Sequence, residues 1–182
     1  IRTRQGGALE VLFNSTGKVS EVRNPDVIEQ DFTTNIGFTQ ILNDYFPVLP
    51  SEPVSVGDTW SDTRTIHIPF GGFNLNIVLR TDYRLDDILP SMDGPTAFIT
   101  TTYSASVNGR TPLEGGAGIF EGKGGGTGYL HFLPEKGIFS GFQTSFSVQA
   151  SFSVKKGSDV LLSWPFSFDS YSLISLNGLE TR

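Results

Sequence analysis

The feature that most constrains this chain is a set of long segments in which apolar and polar residues alternate with a period of two. One of them reads "GIFSGFQTSFSVQASFSVK", and its polar positions are almost all Ser and Gln. Its apolar positions are Ile138, Phe142, Phe146, Val148, Ala150, Phe152 and Val154. Because successive side chains of a strand point to opposite faces, the pattern predicts a long strand with one dry and one wet face.

Three other segments repeat this alternation: "FNLNIVLRTDYRL", "TAFITTTYSASVNGR" and "DVLLSWPFSFDSYSLISL". Short turn signals separate the segments, and one of them, Asn108-Gly109, predicts a hairpin turn. Within the last segment, Pro165 indicates an edge strand or a bulge. Because a strand of 15 residues rises about 50 Å, twist should roll the sheet up. The sequence therefore predicts a mainly β fold, a long-stranded antiparallel meander from about residue 58 onward that forms a half-barrel or barrel.

One segment before these strands has helical periodicity instead. In "TTNIGFTQILNDYFP" the apolar residues recur at i, i+3, i+4, i+7 and i+8, and Pro47 ends the pattern; they are Phe38, Ile41, Leu42, Tyr45 and Phe46. This predicts one main α-helix over about 34–46, packed on the apolar face of the sheet. A helix that binds a partner groove is the alternative. Upstream, "ALEVLFNSTGKVSEV" is typical of a β-hairpin.

Composition narrows the classes of function. The 182 residues suffice for a single β-rich domain over 1–182, and the net charge of -6 disfavours nucleic acid as a partner. There is no cysteine, so disulfides and thiolate sites are excluded, and no apolar run is long enough for a transmembrane segment. The opening "IRTRQGG" lacks the apolar core of a signal peptide, which indicates a trimmed, mature chain or a cytosolic one.

The glycine-rich stretch "GIFEGKGGGTGYLHF" comes close to a phosphate-binding P-loop. A P-loop requires Ser or Thr after its Lys and a helix after its glycines, whereas Gly124 follows Lys123 and "TGYLHF" continues as a strand pattern. We therefore interpret the glycines as positions where the sheet bends sharply or a neighbour approaches closely. Close approach of a ligand is the second interpretation.

The sequence contains no catalytic constellation. His67 and His131 each lie in a strand pattern without a partner at ligand spacing, although a two-histidine metal site across strands stays open. Asp86 and Asp87 are adjacent, so on a strand they point to opposite faces and cannot act as a pair. No Gly-x-Ser-x-Gly motif is present. We expect no enzyme, no cofactor and no metal.

The segment "FPVLPSEPVSVGDTW" resembles a family of bacterial exported domains and lipoproteins of unknown function, with a Leu-Pro, a Pro-Val and a Gly-Asp-x-Trp turn before the first long strand. "YRLDDI", the Asp93-Gly94 turn and "FLPEKGIFSGF" follow in a similar order, so the resemblance covers roughly residues 44–142. Such domains are similar in layout to LolA-like lipoprotein carriers. The resemblance implies an extracytoplasmic protein, in the periplasm, at the cell surface or secreted, that binds a lipid-like ligand.

The leading hypothesis is a non-enzymatic exported protein that binds a hydrophobic or lipid-like ligand between sheet and helix. The residues expected to line that space are Phe38, Ile41, Leu42, Tyr45, Phe142, Phe146 and Trp164, whereas Trp60 is expected to anchor the Gly-Asp turn. The alternative is a structural or interaction domain of a cell-envelope assembly, with a solid core and an exposed edge strand.

Overall fold

The structure, a computed structural model, describes residues 10–13, 19–23, 47–70 and 73–175. Two short strands, β1 (Glu10–Phe13) and β2 (Val19–Arg23), pair antiparallel, as the hairpin prediction requires. Six long strands then follow one another: β3 (Thr59–Phe70), β4 (Phe73–Ser91), β5 (Gly94–Leu113), β6 (Gly116–Leu133), β7 (Ile138–Lys156) and β8 (Asp159–Ser175).

The six long strands form one antiparallel sheet in the order in which they occur in the sequence, β3-β4-β5-β6-β7-β8. This confirms the predicted mainly β meander. The sheet is open, since β3 and β8 lie at its two margins, and it is half-barrel-like instead of a closed barrel. Pro165 lies on the marginal strand β8, as predicted from its missing N–H. The helix predicted over 34–46 lies outside the described residues.

Glycines with positive φ mark the tight turns. Gly94, Gly115, Gly137 and Gly157 lie at the four turns from β4 to β8, and Gly57 precedes β3. The Lys136 ammonium contacts the Asp93 carboxylate at 2.7 Å, so an ion pair joins two turns at one end of the sheet.

The prediction of a hairpin at Asn108-Gly109 is wrong, because both residues lie inside β5. Gly109 instead makes room for a neighbouring strand: a Cβ at this position would come within 2.5 Å of Leu75 Cδ2. The chain turns at Glu114-Gly115, where Gly115 has a φ of 76°. Although Asn-Gly favours a turn, here both residues continue the strand, and Gly109 leaves room for the Leu75 side chain.

One face of the sheet carries a buried cluster, and we call it the inner face. The cluster consists of Tyr83, Leu85, Ala97, Ile99, Leu130 and Phe142. Its members come from four neighbouring strands, and the register places them side by side. A register shift beside His131 brings Phe139 instead of Ile138 against this cluster, so the strict alternation predicted for β7 fails at its first residues.

The glycine row of β6 explains how the sheet bends. Gly122, Gly124, Gly126 and Gly128 alternate on the inner face, opposite inner-face residues of β5. A Cβ at Gly124 would come within 2.7 Å of the Ser147 carbonyl oxygen, and one at Gly128 within 2.6 Å of the Gln143 carbonyl oxygen. The main chain of β7 thus occupies the space that side chains at these β6 positions would take. Because glycine leaves this space free, the sheet folds inward along β6.

This geometry also rules out the phosphate-loop interpretation. β6 continues as a strand to Leu133, and Lys123 is exposed on the opposite, outer face beside Ser106.

The segment before β3 is held against β4 by the motif on which the family resemblance rests. Gly57 N–H donates to the Leu85 carbonyl at 2.7 Å, and Leu85 N–H donates to the Asp58 carbonyl at 3.1 Å. The Trp60 indole stacks on the Tyr83 ring and donates its N–H to the Val48 carbonyl at 2.8 Å. Trp60 therefore anchors the connector at Val48, beyond the turn that it was expected to fix.

Candidate functional site

The candidate site is the inner face between the glycine row and the margin of the sheet. On this face, small residues of one strand lie between large aromatic residues of the two neighbouring strands. Gly126 lies between Tyr103 of β5 and Phe146 of β7, whose ring centroids are 6.4 Å apart. Strands two positions apart are separated by about 9.6 Å, so these rings lean towards each other over the glycine. The inward fold of the sheet thus makes a trough lined by aromatic rings.

A second group of aromatic residues continues this surface towards the other end of the strands. Phe120 and Phe166 lie on either side of β7, and their ring centroids are 5.1 Å apart. Ala150 occupies the position between Gly122 and Phe166, which leaves room for this contact. Phe152 stacks on Trp164 at 5.6 Å with nearly parallel rings.

The margin of this face is apolar and open to solvent. Four inner-face residues of β8 have exposed fractions of 42–58%: Leu162, Trp164, Phe166 and Phe168. Contiguous exposed apolar patches are rare on soluble proteins, and they often mark a binding surface. The inner face therefore changes from a closed cluster at Leu130 to an open apolar margin at β8.

The structure places three of the predicted ligand-lining residues on this face, at different depths. Phe142 is buried in the core cluster, Phe146 is half-buried against Tyr103, and Trp164 is half-exposed. Trp164 pairs with Phe152, ten residues along β7 from Phe142, a distance of about 33 Å if the strand is straight. The three share a face but do not form one compact pocket.

The other four predicted lining residues, Phe38, Ile41, Leu42 and Tyr45, lie outside the described residues. Conversely, Tyr103, Phe120 and Phe168 belong to the inner face but were not among the candidates. Their inward parity was visible in the alternation for Tyr103 and Phe168. The pairing across small residues was not, because it depends on which strands become neighbours.

The outer face carries two open polar clefts. One, of about 570 Å³, is lined by Arg80, Asp82 and Arg84, by Thr and Ser of neighbouring strands, and by Trp60 and Tyr83. The Arg80 guanidinium donates two hydrogen bonds to Asp82 Oδ1, at 3.0 and 2.7 Å, and these bonds hold the pKa of that carboxyl below its ordinary value. The second cleft, of about 420 Å³, includes Arg110, Glu121 and Lys155. Neither cleft is apolar.

The two histidines lie far apart, so the two-histidine metal site is excluded. His67 Nδ1 lies 2.6 Å from Asn76 Oδ1 on the outer face, in the row that continues to Asn108 on β5. His131 pairs with Phe98, ten residues from Asn108 on the same strand, and their rings meet edge to face at 4.7 Å. In the described ranges, no group of three His, Asp or Glu side chains could hold a metal ion.

The buried polar groups at the closed end of the inner face include the Tyr83 phenol and the Thr101 hydroxyl. Burial raises the pKa of the Tyr83 phenol above its ordinary value, and its hydroxyl accepts a hydrogen bond from Val48 N–H at 3.3 Å. Thr101 is 2% exposed, and its hydroxyl finds no hydrogen-bond partner among the described residues. A buried hydroxyl of this kind reduces stability.

Comparison with known proteins returned no match to a family model, to a curated protein or to a solved structure. Across the described ranges, no helix has the length and apolar character needed to cross a membrane.

Proposed function

We propose that this chain is a non-enzymatic exported protein that binds a hydrophobic or lipid-like ligand on the inner face of its sheet, beneath the helix predicted over 34–46. The observation that carries the proposal is the open apolar margin of β8. Leu162, Trp164 and Phe168 point to the inner face, and each is at least half exposed. A ligand with an acyl chain would cover them and remove their apolar surface from water.

The shape of the face supports an elongated ligand. The apolar surface follows β7 and β8 from Phe146 to Phe152, and the inward fold along β6 makes it concave. Ligand sites are typically concave and mostly apolar, with few polar groups. An extracytoplasmic location is proposed from the family resemblance.

The experiment is native mass spectrometry of protein purified without detergent, followed by organic extraction and by titration with a fatty acid and a phospholipid. The sheet offers a matched pair of variants on one strand. Leu162 is 51% exposed on the inner face, and Leu173 is 64% exposed on the outer face. Because both are exposed, Leu162→Glu and Leu173→Glu should both fold. The expected result is an acyl-chain adduct on the unmodified chain and on Leu173→Glu, and a weakened one on Leu162→Glu.

A clean mass for the unmodified chain, with no uptake of either added lipid, would exclude the proposal. Equal weakening by both variants would show that lipid binds without using the inner face, and it would also count against the proposal.

A structural or interaction domain is the second candidate, and one observation favours it. β8 is 17 residues long, lies at the margin of the sheet, and exposes apolar residues on its outer face as well, including Tyr171 and Leu173. An edge of this length can accept a strand from another chain, except near Pro165, which lacks an N–H. This function would be favoured if native mass spectrometry shows no bound lipid and shows a dimer whose share rises with protein concentration.

A further inference from the structure

The outer face contains an uncharged patch that the proposed lipid site does not use. Two adjacent rows cross β5, β6, β7 and β8 in register. Their residues are Thr100, Tyr129, Gln143 and Leu173 in one row, and Thr102, Thr127, Ser145 and Tyr171 in the next. All are exposed except Thr100, which is half-buried. We call these eight residues the tyrosine patch.

The tyrosine patch combines aromatic surface with hydrogen-bonding groups. Tyr129 is 56% exposed and Tyr171 is 63% exposed, so both aromatic rings present a large part of their surface to solvent. Between them, on β7, lie Gln143, which can both donate and accept hydrogen bonds through its amide, and the hydroxyl of Ser145. Thr127 adds a hydroxyl beside Tyr129 on β6. The patch therefore alternates apolar rings with neutral polar groups and lacks the contiguous apolar centre of a protein–protein interface.

The charges that border the patch on β4 are paired, and on β8 the Asp169 carboxylate lies two residues from Tyr171. On β4, Arg84 and Asp82 are the register partners of Thr100 and Thr102. The Asp82 carboxylate is bound by Arg80 at 2.7 Å, and Arg84 lies 3.6 Å from Asp86. Because no unpaired cation faces the patch from β4, it offers little attraction for a phosphate or an acidic polymer.

The two tyrosines are spaced as platforms for separate units of an extended ligand. They lie two strands and two residues apart in the register, which corresponds to a Cα separation of about 12 Å. Alternate rings of an extended β-linked glycan are spaced by about the same length. Each pyranose has apolar C–H faces and a hydroxyl edge, so its faces can cover a tyrosine ring while its edge bonds to an amide or hydroxyl.

We propose that the tyrosine patch binds an extended, uncharged, β-linked polysaccharide. Tyr129 and Tyr171 stack on alternate sugar rings, and Gln143 hydrogen-bonds to the hydroxyls of the unit between them. This activity is independent of the proposed lipid site, because the two surfaces lie on opposite faces of the sheet.

The test is binding to insoluble cellulose and chitin by sedimentation, and to soluble mixed-linkage β-glucan by affinity electrophoresis, with the full chain. Tyr129→Ala and Tyr171→Ala should each weaken binding to the preferred glycan about tenfold, as expected for loss of one stacking platform. Tyr129→Phe and Tyr171→Phe keep the ring and should retain most of the binding. Both positions are on the surface, so thermal unfolding of the four variants should change little.

Two control variants separate this proposal from a general surface effect and from the lipid site. Val78→Ala changes an apolar residue on the outer face of β4 that is 37% exposed, and Leu162→Glu changes the inner face. Both should bind glycan like the unmodified chain. Absence of binding to all three glycans would overturn the proposal, as would equal losses in Val78→Ala and the tyrosine variants. Capture of a protein by the patch without any glycan binding would also overturn it.

Discussion

The closed end of the inner face and its open margin at β8 carry the same pattern of alternating apolar residues, yet only one of them is buried. Leu130 on β6 is 1% exposed, whereas Leu162 on β8 is 51% exposed. Leu130 has neighbours on both sides, from β5 and β7, and the connector residue Val54 packs against its cluster. Leu162 lies at the margin, with β7 as its neighbour. Alternation therefore assigns a residue to a face, and the number of neighbouring elements decides its burial.

The largest expected effect separates these two leucines directly. Leu130→Ala should lower the free energy of unfolding by about 2–5 kcal/mol, because it removes buried surface and leaves a cavity. Leu162→Ala should lower it by less than about 1 kcal/mol, since much of that side chain already contacts water. Urea unfolding followed by circular dichroism measures both. Similar losses for the two variants would mean that the β8 margin is part of the core.

The second prediction concerns the glycine row that joins the two regions. A Cβ at Gly126 would collide with the Ser145 carbonyl oxygen, so Gly126→Ala should cost about 1–3 kcal/mol as β7 is pushed outward. Gly125 points to the outer face, where a Cβ would lie 3.0 Å from the Tyr103 carbonyl oxygen, and Gly125→Ala should cost less. Thermal unfolding of both variants tests this. If Gly125→Ala is the more damaging one, the inward fold along β6 does not depend on the glycine row.

A third variant should stabilise the closed end. Thr101→Val replaces the buried hydroxyl, which has no partner in the described part of the chain, by a methyl group of similar size. We expect a gain of about 1 kcal/mol in the free energy of unfolding. The control is Thr102→Val on the exposed outer face, with a change within about 0.5 kcal/mol. A loss of stability in Thr101→Val would reveal a hydrogen bond to that hydroxyl.

The smallest effect near neutral pH comes from Tyr83, and it becomes visible only in alkali. Its pKa is raised by burial above the ordinary value of 10.0, so the folded chain holds the phenolic proton to higher pH than the unfolded chain does. Above about pH 10 the unfolded state binds fewer protons, and the free energy of unfolding should fall as pH rises through the folded-state pKa.

Urea unfolding at about pH 8 and about pH 11 checks this, since the two values bracket the ordinary phenol pKa. Tyr83→Phe should reduce the alkaline loss of stability, whereas Tyr171→Phe, on the exposed margin, should leave it as it is in the unmodified chain. If the alkaline loss is the same in both variants, Tyr83 ionisation does not drive it.

Much of the sheet could be predicted from the sequence. The period of two located four of the long strands, β4, β5, β7 and β8, and Asp93-Gly94 marked one of their turns. The hairpin prediction at Asn108-Gly109 failed because turn propensity is a local property. The glycine is required by the Leu75 side chain on the neighbouring strand, more than thirty residues away in the sequence. Ile138 was assigned to the wrong face because a register shift depends on two strands at once.

The candidate site was predicted less completely, for the same reason. The alternation placed Phe142, Phe146 and Trp164 on one face, which the register confirms. It could not show that Phe142 is enclosed while Trp164 is half exposed, or that Tyr103 reaches Phe146 over Gly126.

The sequence by itself determined where most of the long strands lie and, away from register shifts, which face their residues take, because both follow from a period of two along a single chain. Only the tertiary structure decided that the meander stays open, that it folds inward along the β6 glycines, and that the tyrosine patch lies across four strands. These properties depend on the register between strands and on the distance between main chains. Residues far apart in the sequence determine both together, and no local pattern records them.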